Sequence, residues 1–564
     1  MIARSEIGGV PVLHGPTTGP ARTGLVFRVG FADEPLTRRG ITHLIEHLAL
    51  SPLGFADFHY NGSTGTEFTS FHMTGTPSEL AGFVDGVCAA LHDLPLHRLD
   101  TEKDILRAEA HSRSHSAHEP LALWRHGARD HGMGAYPEWG LSAITADDLR
   151  DWVARYFTRD NAVLWVAGDQ VPADLRLSLP GGTRRPSPAP SSALPVTPAC
   201  FGGPAGVVGW SAVVDHEPAG IVFADLLQRT MFRTLRQEAG MSYAAHTDYQ
   251  PTGTDTALVT ALADCLPDRQ GAVLGAFVDE LAALRVGRID PADVEAVIRK
   301  RHEAMLLADR QGDRLPEQAR ALLAGRPVTP TETVLASLAE VSPDDLTAVA
   351  QQATRTGLLM TPPESTGTWA GFTAAPTTSD TAVTGSPFAA LEDPAVRLIV
   401  AADGVSLVKG NHRMTVRFAD CAVVRAWPDG ARRYVGNDGI IVTVEPTLYR
   451  DGDHAVSRLD AHCPPALRVD EAPREPDEIP RPDPRAAASR RPTPRASREG
   501  TSNRTMSVIV AVLLGTALLR GLVVVRRQFV EDGTTAGLIG LATVIVLIGG
   551  AGLLWHRWGR FRVR

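Results

Sequence analysis

A chain of 564 residues is too long for a single hydrophobic core and points to three or four domains. Its net charge of −8 is modest for that size, which argues against a general nucleic-acid binder. Five scattered cysteines without a Cys-x-x-Cys pair exclude a disulfide framework and a cysteine–zinc module, and suit a reducing compartment.

Residues 1–178 read as a first unit. Apolar runs at 10–13 and 24–29 predict an opening β-hairpin, and the helix carrying His43–His47 follows. A strand is expected at 64–73. The next helix, near 78–92, is announced by Thr76-Pro77-Ser78-Glu79, a capping box with proline at the first helical position. Further helices are expected at 101–114 and from Thr145 to Tyr156, and the apolar run 162–167 closes the unit as a strand. Strands and helices mix without strict alternation, so the fold class is α+β in layers.

Residues 179–205 are rich in Pro, Ser and Ala and read as a linker. A second unit, 206–362, repeats the order: a strand at 207–214, a long helix ending near Gly240, strands at 242–248 and 257–263, and helices at 270–284 and 291–308. Its closing Ser-Pro-Asp-Asp-Leu at 342–346 echoes Thr-Ala-Asp-Asp-Leu at 145–149, and the matched order predicts two homologous units. Residues 363–394 read as a second linker. Residues 395–469 predict a small all-β domain, with turn signals at Asp429-Gly430 and Asp438-Gly439.

The charged, proline-rich stretch 470–505 predicts disorder. Residues 534–555 are 22 positions without a charge, long enough to cross a bilayer. Residues 506–525 predict a first span, interrupted by Arg520 toward one end, where its head can reach the interface. Basic residues before 506 and four arginines in the tail 556–564 place both ends on the cytoplasmic side by the positive-inside rule, although Arg526 and Arg527 on the short connecting loop oppose it. The expectation is a cell-membrane protein with two spans and cytoplasmic N-terminal units.

The chemistry concentrates in His43-Leu-Ile-Glu-His47. Two histidines four apart lie on one helical face, close enough to hold one metal ion, and Glu46 beside them can take a proton from the water that the metal polarises. This His-x-x-Glu-His order inverts the commoner His-Glu-x-x-His of zinc peptidases. A catalytic zinc needs a third protein ligand and one open position. Glu102 and Glu109 stand two turns apart on one face of the helix expected at 101–114; Glu109 is the expected third ligand and Glu102 the residue behind it that orients a ligand.

With these motifs the chain resembles the pitrilysin/insulysin metallopeptidases, which include the mitochondrial processing peptidase and its bacterial relatives. The run Arg38-Arg-Gly-Ile-Thr-His-Leu-Ile-Glu-His resembles that family's zinc helix, and Glu102–Glu109 its downstream pair of glutamates. Tyr60-Asn-Gly-Ser-Thr resembles its edge strand, which pairs with substrate backbone, so the resemblance makes Asn61 a substrate contact; an ordinary Asn-Gly turn is the plain alternative. Leu235-Arg-Gln-Glu-Ala-Gly-Met-Ser-Tyr resembles the element whose arginine and tyrosine steady the tetrahedral intermediate, which carries over to Arg236 and Tyr243. The resemblance covers about residues 1–362. It departs in a shorter connection between His47 and Glu109 and in compact units.

The resemblance implies an endopeptidase with one Zn2+ per chain, acting on peptides or unfolded segments, and the two expected spans would tether it to the membrane. Members enclose substrate between four such units and this chain has two, so a homodimer or pairing with a related subunit is expected. A catalytically inactive member serving as a peptide-binding scaffold is the alternative. Residues 395–469 weakly resemble small pleckstrin-homology-like domains, which leaves lipid, peptide and plain docking roles open.

Overall fold

The computed structural model describes residues 2–54, 59–112 and 116–483. Its first layer is a six-stranded sheet. Strands β1 (Ala3–Ile7) and β2 (Val10–Gly15) form a hairpin, with Ile7 opposite Val10. The two-residue turn is Gly8-Gly9, both at positive φ (58° and 83°), as the tight hairpin turn demands. Strand β3 (Arg22–Phe27) precedes helix α1 (Ile41–Leu50), which is followed by β4 (Tyr60–Thr64) and β5 (Thr69–Thr74). Helices α2 (Pro77–His92), α3 (Leu99–Ser112), α4 (His118–His126) and α5 (Ala146–Tyr156) come next, and β6 (Ala162–Ala167) ends the layer.

The strand order is β1-β2-β6-β3-β5-β4. The predicted hairpin of 10–13 with 24–29 is therefore corrected: β6 lies between the two runs, parallel to β2 and antiparallel to β3. Every residue of β6 is buried, so it needs a neighbour on each side and takes the centre of the sheet. Strand β4 is the free edge.

The second sheet contains β7 (Ala199–Gly202), β8 (Val207–Asp215), β9 (Ala245–Thr252), β10 (Thr256–Asp264), β11 (Leu358–Thr361) and β12 (Thr373–Ala374), in the order β12-β7-β11-β8-β10-β9. From β2 to β4 and from β7 to β9 the two sheets share one arrangement, with the closing strand parallel to the first and antiparallel to the second. The helices are α6 (Pro218–Met231), α7 (Gln270–Arg285), α8 (Pro291–Gln311), α9 (Arg314–Leu323), α10 (Thr331–Ala339) and α11 (Pro343–Arg355). The stretches read as linkers carry β7 and β12, because short apolar pieces such as Ala-Cys-Phe complete a sheet edge despite their Pro-rich surroundings.

The two layers exchange helices. Leu315, Ala319, Leu322 and Leu323 of α9 pack under the first sheet against Leu13, Val26, Val163 and Trp165. Reciprocally, Leu121 of α4 packs with Phe201, Leu358 and Met360 of the second sheet, and Trp124 stacks on Phe201 at 4.9 Å. The buried Arg125 donates to the Ser211 and Thr356 carbonyls at 2.7 and 3.1 Å. At the same seam His131 Nε2 lies 3.0 Å from Glu67 Oε1, and its Nδ1 is 3.7 Å from Asp130 Oδ1. The Gly253 amide reaches Glu67 at 3.4 Å, and the Ser191 amide reaches Asp130 at 3.3 Å.

The third part holds two four-stranded sheets, β13 (Ser386–Ala389), β14 (Val396–Ala401), β15 (Gly404–Lys409) and β16 (His412–Arg417), then β17 (Cys421–Ala426), β18 (Arg432–Gly436), β19 (Ile441–Val444) and β20 (Arg468–Asp470). The prediction of an all-β domain over 395–469 is corrected, because this part also contains a helix. Helix α12 (Gly452–His462) sends Ala455, Val456 and Leu459 into its core, a stripe too short to stand out in an 11-residue helix. The first residues of the stretch predicted to be disordered are also held down: Arg474 bonds Asp429 and both oxygens of Glu445 at 2.7–2.9 Å. Among the described residues no helix is long and apolar enough to cross a membrane; the predicted spans 506–525 and 534–555 lie outside those residues, as does the tail.

Candidate metal centre

Helix α1 starts at Gly40, whose φ of 103° only glycine adopts without strain. A Cβ there would meet the Cβ of Glu138 at 2.9 Å. The buried carboxylate of Glu34 caps the helix, accepting the amides of Gly40 and Thr42 at 2.9 Å each, and Arg39 pairs with it at 3.0 Å. Burial raises the Glu34 carboxyl and Arg39 opposes that rise. Apart from His47 and Leu50, which are half-buried, every residue of α1 is buried, so the helix packs on almost all sides and its polar groups are fixed.

His43 and His47 are one turn apart, with ring centroids 4.8 Å apart and planes at 89°. Each ring is held by a carboxylate at Nδ1: Glu138 on His43 at 2.9 Å and Glu102 on His47 at 3.3 Å. Arg98 in turn grips Glu102 through two bonds of 2.9 and 2.8 Å. These bonds set the tautomer that leaves both Nε2 atoms as acceptors. The two Nε2 atoms face Glu109 of α3, His43 at 3.8 Å and His47 at 3.6 Å.

The three ligand atoms lie within 4.8 Å of one another, and no other such group of His, Cys, Asp and Glu occurs among the described residues. Zinc bonds of about 2.0–2.2 Å put tetrahedral ligand atoms about 3.4 Å apart, so binding would draw these side chains together by up to about 1.4 Å. Two imidazoles and a carboxylate, with both outer ring nitrogens carboxylate-bound, fit a catalytic zinc set. Glu109 is the half-open member, its side chain 42% exposed, so solvent reaches the centre from its side.

Glu46 sits on the same helix, 5% exposed. Burial pushes its carboxyl up, and His43 and Thr64 oppose the rise. Thr64 Oγ1 donates to its Oε2 at 2.6 Å. Strand β4 lies directly against it: a Cβ on Gly62 would be 2.5 Å from Glu46 Oε1. Asn61 is the exposed neighbour on this edge strand, opposite His72 of β5.

The sequence thus pointed to five residues that the fold brings together, His43, Glu46, His47, Glu102 and Glu109. It missed Glu138, Glu34, Thr64 and Gly62. Glu138 lies between Pro137 and Trp139, where no helical or strand period marks it. Arg236 and Tyr243 are elsewhere. The predicted long helix breaks after Met231 into a π-helix (Phe232–Glu238), and the Arg236 guanidinium lies between the rings of Phe232 and Tyr243, at 5.0 and 4.8 Å. Tyr243 is 76% exposed, while its amide and that of Ala244 are anchored on Asp264 at 2.8 Å. Among the described residues no hydrogen bond or ion pair joins either residue to the histidine cluster.

No family model and no curated protein matches this chain. Solved structures do. A protease from Helicobacter pylori superposes with a TM-score of 0.51 at 15% identity, over 64% of this chain and 99% of its own. The first half of the periplasmic protease PqqL from Escherichia coli does so with 0.50 at 12%, over 64% and 91%. A peptidase M16 inactive domain from Pseudomonas fluorescens gives 0.50 at 13%, over 64% and 98%. Over about two thirds of its length the chain shares the fold of these peptidase structures. At such identities the likeness is one of fold alone, and the chemistry must be argued from the side chains above.

Proposed function

We propose that this chain is a zinc-dependent endopeptidase that hydrolyses peptides or unfolded segments, tethered to the membrane by residues 506–525 and 534–555 with its N-terminal units on the cytoplasmic side. The observation that carries the reading is the convergence of His43 Nε2, His47 Nε2 and a Glu109 oxygen beside the buried carboxylate of Glu46. Zinc bound there supplies a Lewis acid for the scissile carbonyl and acidifies water.

The remaining work belongs to the chain. Glu102 and Glu138 hold the rings in the ligating tautomer. Thr64 fixes Oε2 of Glu46, which leaves Oε1 to take a proton from the attacking water and pass it to the leaving amine. The raised affinity of this buried carboxyl for a proton favours that shuttle. An extended peptide can add to the free edge of β4, alongside Asn61. Arg236 and Tyr243 face outward on the second layer, and pairing with a second copy or a related subunit would let them act across the interface; full activity in a strictly monomeric preparation would eliminate that role.

The deciding experiment is digestion of a peptide library by the full chain with and without chelator, beside zinc analysis. Replacing Glu46→Gln should cost about 10²–10⁴-fold in turnover with zinc retained. Undiminished turnover in that variant refutes the base. A wild-type chain that holds zinc yet cleaves nothing favours the scaffold alternative.

A further inference from the structure

Glu138 orients His43 and pairs with Arg39 at 3.6 Å, yet it stands in a stretch with no long helix or strand of its own, so its position also depends on what packs around it. On one side it lies against the start of α1, where Gly40 and Gly140 allow the two backbones to touch: a Cβ on Gly140 would be 2.4 Å from the Arg39 amide nitrogen. On the other side is the third, β-rich part of the chain. Leu36, Met133 and Tyr136 share one apolar cluster with Val423, Val435 and Val469 of β17, β18 and β20. Ser142 donates to the Asp470 carbonyl at 3.2 Å, and the Ala128 amide to the Asn437 carbonyl at 3.1 Å.

The centre of this contact is Trp139, the residue after Glu138. Arg425 of β17 lays its guanidinium 4.4 Å from the Trp139 ring and 5.0 Å from the Trp427 ring. An ion pair with Glu471 fixes the guanidinium, and both side chains are largely buried, at 15% and 19% exposure. Tyr136 closes the Trp139 ring from a third direction, 5.7 Å between centroids. A guanidinium held between two indole faces with little solvent attracts both rings and cannot swing away while Glu471 holds it.

We infer that Arg425 is a positioning residue for the metal centre, holding Glu138 against His43 through the clamped ring of Trp139. The β-rich part is then a structural component of the metal site rather than a passenger on it. The inference rests on the metal-centre reading for its affinity readout, and has a second readout that needs no metal.

The test uses the full chain as wild type, Arg425→Ala, Trp139→Leu, Glu138→Gln and the Arg425→Ala/Glu138→Gln double variant, each stripped of metal and titrated with zinc against a competing chelator. Glu138→Gln should weaken zinc about 10–100-fold. Arg425→Ala should weaken it about 2–10-fold, and the double variant should bind no more weakly than Glu138→Gln alone, because Arg425 acts through that carboxylate. In the metal-free proteins, amide exchange over 136–142 should rise in Arg425→Ala while β14 and β15 stay protected. Unchanged affinity, or losses that multiply in the double variant, would overturn the inference. A wild-type chain that binds no zinc would sink the metal reading instead, and unchanged exchange over 136–142 would then overturn the positioning role by itself. Should Arg425→Ala fail to fold, Trp139→Leu keeps the Arg425–Glu471 pair and removes the same link.

Discussion

Gly62→Ala tests the proposed general base apart from the proposed metal ligands. The added methyl would start 2.5 Å from Glu46 Oε1, 2.6 Å from its Cγ and 2.8 Å from its Cδ. Contact at van der Waals distance needs about an ångström more, so either β4 or the carboxylate must shift by that amount. The carboxylate has little freedom, being buried on a packed helix and held by Thr64 at 2.6 Å. The strand is paired on one side only, through five residue pairs to β5, so part of the shift falls on it and carries Thr64 along. Either route moves Oε1 off its position by a substantial fraction of an ångström, and a 1 Å misplacement of a catalytic group costs about 10²-fold. The overpacking should also cost about 1–3 kcal/mol of stability. The assay is kcat/KM on a peptide found by library digestion, with zinc content and urea unfolding measured alongside. Retained zinc with turnover down about a hundredfold is the expected pattern. Full turnover would show that the Glu46–β4 contact is not part of the catalytic geometry.

Other expectations follow from the same contacts. Glu102→Gln removes the charge that both Arg98 and His47 use, and should weaken zinc about 10–100-fold in a competition titration; equal affinity would show that His47 needs no orienting carboxylate. Burial lowers the affinity of His131 for its proton, but the carboxylates of Asp130 and Glu67 beside the ring outweigh this and push it up to about 9. A histidine raised in the folded state stabilises fully below its unfolded pKa of about 6.5 and loses that contribution as pH rises through about 9. The stability gap between wild type and His131→Gln, read by urea unfolding, should therefore close between pH 6 and 9.5, and a constant gap would refute the charged pair. The proposed tether predicts that the full chain sediments with membranes and needs detergent for release; recovery in the soluble fraction after lysis would remove the two spans from the proposal.

What the sequence disclosed follows from which groups share a local frame. His43, Glu46 and His47 lie within one turn and a half of a single helix, and Glu102 and Glu109 lie two turns apart on another, so spacing alone gives their common faces. Glu138 comes 95 residues after His43 and sits on a stretch without periodicity, so only the packed fold reveals that it orients a ligand. Gly62 and Thr64 could be read as strand or turn, but their contact with Glu46 depends on β4 being the outer strand over α1. The centre of the same sheet is likewise taken by a strand from the far end of the unit, β6. The same distant pairing undid the local hairpin reading of 10–13 with 24–29. A helix can thus announce a candidate metal site by itself, whereas the tautomer of each proposed ligand and the aim of the proposed base are set by long-range packing. Substitutions at Gly62, Glu138 or Arg425, none of which bears a ligand atom, therefore test the site as sharply as substitutions of the histidines.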